Sequence, residues 1–223
     1  MKYYKYKMKT GPMNIYALLL FIVCYAVIYF IFGSEYLVAD SITILVMILW
    51  FILHEFLHYI GFLCSKDVKT KNLFLGMFIE KGIFYCMCKK QIDKKGIIVA
   101  LLFPLFFIGI VTLIIGILIK SSLLIFVSIA NISGAAGDIL MFFQIIRFPK
   151  DIKYVDVDDC SGYYILSKKD ISNIKTPALH LEESGELNED MLKHKYNRKI
   201  VITKTSWIFL IIILVLVIIS QLV

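Results

Sequence analysis

Long apolar runs separated by shorter charged segments dominate the chain. Five of these runs, at about residues 14–32, 41–64, 97–119, 122–146 and 203–222, contain few charged side chains. Each run meets or approaches the ~20 residues that an α-helix needs to cross a ~30 Å hydrocarbon core. The pattern therefore predicts an all-α polytopic membrane protein with about five transmembrane helices.

Composition and charge refine this prediction. Hydrophobic residues make up 60% of the chain and its mean hydropathy is +0.82, which is typical of a membrane protein. Of the 24 Lys and Arg residues, all but Lys120 lie before span one, between spans two and three, or in the segment that leads into span five and the first residues of that span. By the positive-inside rule, we expect a multi-pass protein of the cell membrane with a cytoplasmic N-terminus and an external C-terminus. The net charge of +7 then indicates contact with the lipid bilayer rather than with nucleic acid.

The same pattern predicts the domain organisation. We expect a membrane core over 1–146, a cytoplasmic segment over 147–202 and a C-terminal transmembrane helix over 203–223. The first apolar run is longer than the ~7–15 residues of a signal-peptide core, so we interpret it as an uncleaved span.

Two segments outside the spans show strand patterns. Apolar runs on either side of Glu80-Lys81-Gly82 predict a membrane-associated β-hairpin over 72–89, with a short interfacial helix as the alternative. Strands at 152–157 and 162–167 and a helix at about 188–199 would form a small cytoplasmic α/β segment.

The second span contains a His-Glu-x-x-His motif made of His54, Glu55 and His58. On a helix the two histidines lie one turn apart on one face, which is the spacing of two zinc ligands, and Glu55 can act as the general base. Ionised side chains at this depth cost about 2.5–3.5 kcal/mol each, so a bound Zn²⁺ would explain their presence. At ~1.5 Å per residue, His58 and His54 lie about 9 Å and about 15 Å from the predicted cytoplasmic end.

Span four offers a third ligand at matching depth. Its one carboxylate, Asp138, lies about 12 Å from the end of that span at ~1.5 Å per residue. The small residues before it, in the stretch SGAAG, allow close helix packing, which a short ligand side chain requires. A plain hydrogen bond from Asp138 to a neighbouring helix is the alternative. Asn131, two turns earlier, is a candidate oxyanion or substrate contact.

Other candidate ligands are weaker. Cys86 and Cys88 could form a metal pair, but two small apolar residues fit that segment better. The acids at 156, 158 and 159 favour a solvated turn over a metal cluster, and His180 and His194 favour surface positions. With five cysteines, mostly in spans or on the cytoplasmic side, we expect no structural disulfide.

The motifs HEFLH, SGAAGD and RFPKD…VDVDDCSGYYI together resemble the site-2-protease class of intramembrane zinc metalloproteases. More closely, they resemble bacterial zincin peptidases of a family labelled as a domain of unknown function. The resemblance covers about residues 45–167 and implies that zinc is bound by His54, His58 and Asp138, with Glu55 as base. It also implies that the hairpin edge holds unwound substrate. The prolines and the glycine that flank the site-2 aspartate are absent here.

We therefore expect a zinc-dependent intramembrane endopeptidase that cleaves a membrane-embedded or membrane-delivered protein or peptide near the cytoplasmic face. The alternative is a catalytically silent metal-binding membrane protein that holds partner helices or assists export. A third hypothesis is a membrane di-iron oxidase or desaturase, but that class needs more clustered histidines than the four of this chain.

Overall fold

The computed structural model describes residues 1–38, 41–78, 83–156 and 162–187. Of these residues, 57% are helical and 22% lie in strands, including a five-stranded antiparallel sheet. The prediction of an all-α polytopic protein with five transmembrane helices is therefore wrong, and the fold is mixed α/β. The predicted helix at 188–199 and the predicted fifth span lie outside the described residues.

The described residues contain six α-helices. They are α1 (Thr10–Phe32), α2 (Ser41–Leu63), α3 (Lys94–Pro104), α4 (Thr112–Leu118), α5 (Ser122–Gly134) and α6 (Ala136–Ile145). A π-helical segment, Leu105–Val111, joins α3 to α4. Helices α5 and α6 meet at Ala135 with a bend of 47°.

Fewer helices qualify as membrane spans than the apolar runs predict. Within the described ranges, Gly11–Phe32 and Lys94–Leu118 are long and apolar enough to cross a membrane. The bent pair Ser122–Gly134 and Ala136–Ile145 would make a third span if it crosses as one unit. The apolar part of α2, Leu49–Leu63, is shorter than a span.

The predicted hairpin is confirmed as a pair of strands. Strands β2 (Leu73–Phe78) and β3 (Ile83–Cys88) pair antiparallel, with Leu73 opposite Cys88 and Leu75 opposite Cys86. Both strands carry apolar side chains on both faces and contact α2, with Leu73 and Met87 buried and Leu75 exposed.

The strands of the five-stranded sheet are β1 (Lys2–Met8), β4 (Ile92–Asp93), β5 (Lys153–Asp156), β6 (Gly162–Ser167) and β7 (Leu179–Glu186). They lie in the order β4-β5-β6-β1-β7. Strand β1 lies between β6 and β7, and its tyrosines, Tyr4 and Tyr6, are buried in the main core. The strands predicted at 152–157 and 162–167 correspond to β5 and β6, while β1 and β7 were not predicted.

Connectivity places this sheet at one end of the helices. β1 leads into α1, β4 leads directly into α3, and α6 runs back to β5. The Lys94 ammonium at the start of α3 donates to the Ile146 carbonyl at 2.8 Å, just after the end of α6. The sheet therefore covers the same ends of α3 and α6 and closes off the space between the helices.

Candidate metal centre

Helix α2 supplies the three residues of the His-Glu-x-x-His motif. His54 and His58 point inward and are only 7% and 8% exposed, although much of the helix surface around them is exposed and apolar. Their Nε2 atoms lie 3.0 Å apart, because residues four apart on a helix occupy the same face. The predicted arrangement of the two histidines is therefore present.

Asp138 reaches the same point from α6. Its Oδ2 atom lies 3.2 Å from His54 Nε2 and 3.4 Å from His58 Nε2. The bend at Ala135 starts a new helix, so Asp138 lies in the first turn of α6, where the helix dipole favours a carboxylate. The bend thus brings together side chains that are 80 residues apart in sequence.

The outer nitrogens of both histidines are held by other groups. His58 Nδ1 lies 2.8 Å from the Ala100 carbonyl, which only accepts, so this nitrogen carries the proton. The Asn131 amide donates through Nδ2 to the Pro104 carbonyl at 3.2 Å, which turns its Oδ1 toward His54 Nδ1 at 2.8 Å. His54 is therefore also protonated at Nδ1, and in the neutral rings both Nε2 atoms carry lone pairs.

His54 Nε2, His58 Nε2 and Asp138 Oδ2, the three inner atoms, have the chemistry and spacing of a zinc site. Zn²⁺ bonds to His nitrogen and carboxylate oxygen at about 2.0–2.2 Å, which puts tetrahedral ligand atoms about 3.4 Å apart. The three observed separations, 3.0, 3.2 and 3.4 Å, approach this value. Two lone pairs and a carboxylate oxygen that face one another repel unless a cation lies between them. His54, His58 and Asp138 would hold that cation.

Glu55 lies beside these atoms. Ligand atoms of His54, Glu55 and His58 all fall within 4.8 Å of one another. The backbone N–H of Cys86 on β3 faces the Glu55 carboxylate, so the hairpin lies directly beside the proposed base. The sequence did not predict this contact, because the pairing of β3 with α2 is a tertiary feature.

Glu55 also lies between two openings. A cavity of about 210 Å³ separates the metal centre from the sheet, and Glu55, His58 and Asp138 line it together with residues of β3, β5 and β6. On its other side Glu55 borders an apolar groove between α2 and the hairpin. The groove is lined by Leu49, Ile52, Leu53, Phe56, Leu75, Gly76 and Phe84.

Asp156 is a site residue that the sequence interpretation missed. It lies at the end of β5 in the cavity wall, where its carboxylate accepts from the Cys88 N–H at 2.7 Å and the Tyr154 hydroxyl at 2.5 Å. Burial raises the pKa of its carboxyl to about 6. The prediction of a solvated turn is therefore wrong for Asp156. Asp158 and Asp159 lie outside the described residues. The alternation along β5 puts Tyr154 and Asp156 on one face, but only the packing against β3 shows that this face is buried.

None of the other described candidates contributes an atom to the group formed by His54, His58 and Asp138. The thiols of Cys86 and Cys88 have raised pKa values because they are buried in the hairpin, which fits their interpretation as small apolar residues. His180 lies on β7, partly buried, and His194 is outside the described residues. Asn131 lies behind His54 with both ends of its amide engaged, so its predicted oxyanion or substrate contact stays a prediction.

Comparison with known proteins agrees with this site. Residues 47–153 match the model of a family described as "Putative zincin peptidase". The match covers just under half of the chain and includes the motif, Asn131 and Asp138. No curated protein and no solved structure matches the chain. Over the matched residues the chain is similar to the zincin peptidases, and its His-Glu-x-x-His site is that of a zinc metallopeptidase.

Proposed function

We propose that this protein is an intramembrane zinc endopeptidase of the site-2-protease type. It would hydrolyse a membrane-embedded or membrane-delivered protein or peptide near the cytoplasmic face. The observation that carries the proposal is the position of Glu55, which borders both the cavity at the metal centre and the apolar groove beside α2. A peptide bond reaching Glu55 through that groove would arrive from the side of the apolar helix surface.

The exposed surface of the helices supports a membrane location. Most side chains of helix α1 are apolar and exposed, as expected for a helix that faces lipid on one side, while its other side packs against α5. The sheet and the segments that flank it bring basic residues at 2–9, 66–71, 89–95, 147–153 and 168–175 to one end of the helices. We infer that this end is cytoplasmic and contacts anionic headgroups.

The chemistry assigned to the site is peptide hydrolysis by general acid–base catalysis. A zinc ion here would lower the pKa of water to about 7 and polarise the scissile carbonyl. Glu55 would accept a proton from the attacking water and deliver it to the leaving amine, so that one water is added across the broken C–N bond. The Cys86 N–H faces the Glu55 carboxylate and would help to orient it for both transfers.

The hairpin would hold the substrate in an extended form. The N–H groups of Cys86 and Cys88, on the edge of β3 that faces the site, are already taken by Glu55 and Asp156. Among the described strands, β2 pairs only with β3 and keeps its outer edge unpaired. We therefore expect an unwound peptide to add along β2, beside the apolar groove.

The test uses the purified zinc-loaded protein in lipid vesicles. Its probe is a reporter peptide with an apolar membrane-spanning segment, compared with a soluble peptide of the same flanking sequence. We expect the wild type to cleave the embedded reporter and Glu55→Gln to cleave it about 10²–10⁴-fold more slowly. Equal cleavage of the soluble peptide would overturn the intramembrane assignment.

A second pair of variants tests the route through the groove. Leu53→Trp fills the apolar groove, whereas Val23→Trp enlarges an exposed side chain on α1 that borders no cavity described above. We expect Leu53→Trp to slow cleavage of the embedded reporter and Val23→Trp to leave it unchanged. A wild type that binds stoichiometric zinc but cleaves neither reporter would favour the catalytically silent alternative.

A further inference from the structure

Pro104 is the last residue of α3 and lies inside the longest candidate span, Lys94–Leu118. A proline has no backbone N–H, so it cannot donate to the carbonyl four residues earlier. That carbonyl belongs to Ala100, a residue with no exposed surface. In apolar surroundings a carbonyl without a donor costs several kcal/mol, so another group must satisfy it.

His58 supplies the missing donor. Its Nδ1 lies 2.8 Å from the Ala100 carbonyl, which has room for it because the helical partner is absent. The close approach of α2 to α3 at Gly61, one turn further along, brings the ring within reach. The bond fixes the proton on Nδ1 and turns Nε2 toward Asp138.

The carbonyl of Pro104 itself acts on the other histidine. It accepts from Asn131 Nδ2 at 3.2 Å, and this contact decides which end of the amide faces His54. Immediately after Pro104 the helix widens into the π-helical segment Leu105–Val111, a local geometry that recurs at functional sites. One residue on α3 is thus connected to both histidine ligands, by two different routes.

We propose that Pro104 is a positioning residue for the metal centre, which sets the proton position and orientation of both His54 and His58. It acts on His58 through the Ala100 carbonyl, which has no N–H donor four residues later in its own helix. It acts on His54 through its own carbonyl, which orients the Asn131 amide. The inference concerns the metal site itself and holds whether or not the protein cleaves a membrane substrate.

An N–H at position 104 would compete directly with His58. In Pro104→Ala the new N–H can donate to the Ala100 carbonyl as in a regular helix, which leaves His58 Nδ1 without its acceptor. The ring can then rotate or carry its proton on Nε2, where it blocks the metal. Loss of a hydrogen-bond partner of a metal ligand weakens metal binding about 10–100-fold.

The experiment compares Pro104→Ala with Pro12→Ala in the full chain, purified in detergent. Pro12 lies in the first turn of α1, where the first helical bond comes from Met13 to the Lys9 carbonyl, so an N–H at position 12 displaces no partner. Zinc affinity is measured by competition with a chelator, and the Nδ1–H signals are followed by NMR in the zinc-loaded protein. We expect Pro104→Ala to weaken zinc binding about 10–100-fold, with a shifted and faster-exchanging His58 signal.

A second variant, Asn131→Leu, tests the other route even if Pro104→Ala does not fold. We expect it to disturb the Nδ1–H signal of His54, to leave that of His58 in place, and to weaken zinc binding. The proposal is overturned if Pro104→Ala binds zinc within twofold of Pro12→Ala with an unchanged His58 signal, or if Asn131→Leu leaves the His54 signal unchanged. These measurements need no substrate, so their result is independent of the peptidase assay.

Discussion

Gly61 of α2 lies against the backbone of Ala100 of α3, where a Cβ atom on Gly61 would come within 2.7 Å of the Ala100 Cα atom. The neighbour is backbone rather than a movable side chain, so the two helices can approach this closely only with glycine at position 61. The same approach brings His58 to its acceptor on Ala100. Helix packing and metal-ligand orientation therefore depend on one residue.

Gly61→Ala should push α2 away from α3. We expect an unfolding free energy lower by about 1–3 kcal/mol, the usual effect of overpacking, together with weaker zinc binding. Thermal melting and chelator competition measure the two effects. The control is Gly11→Ala on α1, where a Cβ atom meets nothing within 4 Å. If Gly61→Ala and Gly11→Ala have the same unfolding free energy and the same zinc affinity, the proposed role of the contact is contradicted.

Glu55→Gln should separate catalysis from metal binding. The amide keeps the shape of the side chain but cannot take up the proton of the attacking water, so we expect cleavage to fall by about 10²–10⁴-fold. Zinc content should remain that of the wild type, because His54, His58 and Asp138 are untouched. Glu35→Gln, on an exposed turn, serves as the control. Wild-type cleavage rates in Glu55→Gln would exclude Glu55 as the base.

His54→Ala and Asp138→Asn should both lose zinc. Each substitution removes one of the three proposed ligand atoms. Metal analysis of the purified proteins should therefore show a greater loss of zinc binding than the about 10–100-fold expected when only a hydrogen-bond partner of a ligand is removed. Asp67→Asn, at an exposed position, should keep its zinc. Stoichiometric zinc in Asp138→Asn would remove Asp138 from the ligand set and leave Glu55 as the nearest other carboxylate.

The buried carboxyl of Asp156 predicts a pH dependence of stability. Burial raises its pKa to about 6 from an ordinary value of 3.8, so the folded state holds the proton more tightly than the unfolded state. The contribution of Asp156 to stability is therefore complete below about pH 4 and is lost as the pH rises through about 6. At ~1.4 kcal/mol per pKa unit, the loss is at most about 3 kcal/mol.

Comparing the melting temperatures of the wild type and Asp156→Asn isolates this effect, because both proteins share every other titrating group. We expect the wild type to lose stability relative to the variant between pH 4 and pH 7, with no further change up to pH 8. If the melting temperatures of the two proteins change in parallel with pH over the whole range, Asp156 is not protonated at low pH in the folded protein.

The metal centre was largely predictable because its main signals are local. Two histidines four residues apart on an apolar helix must share a face, and a lone carboxylate at equal depth in a later apolar run has few other partners. The roles of Pro104 and Ala100 were not predictable in the same way. They depend on which carbonyl of α3 lies opposite His58, and this follows from the packing of two helices rather than from either sequence alone.

The sheet was missed for a related reason. The segment KYYKYKM at β1 mixes lysine with tyrosine, and its lysines were interpreted as a topology signal for the adjoining span. Its partners, β6 and β7, lie more than 150 residues further along the chain. Hydrophobic patterning detects one element at a time and does not show which strands pair. A strand with such distant partners therefore resembles the basic segment that flanks a membrane helix.

The central position of β1 in the sheet also has a consequence for biosynthesis. β1 is translated before α1, but its neighbours on both sides are translated after α6. At ~5–20 residues per second, the ribosome completes β7 about 10–40 s after β1. For most of that interval β1 has neither of its pairing partners, so a chaperone or the membrane surface would have to shield its tyrosines, and the sheet can close only after the helices have been made.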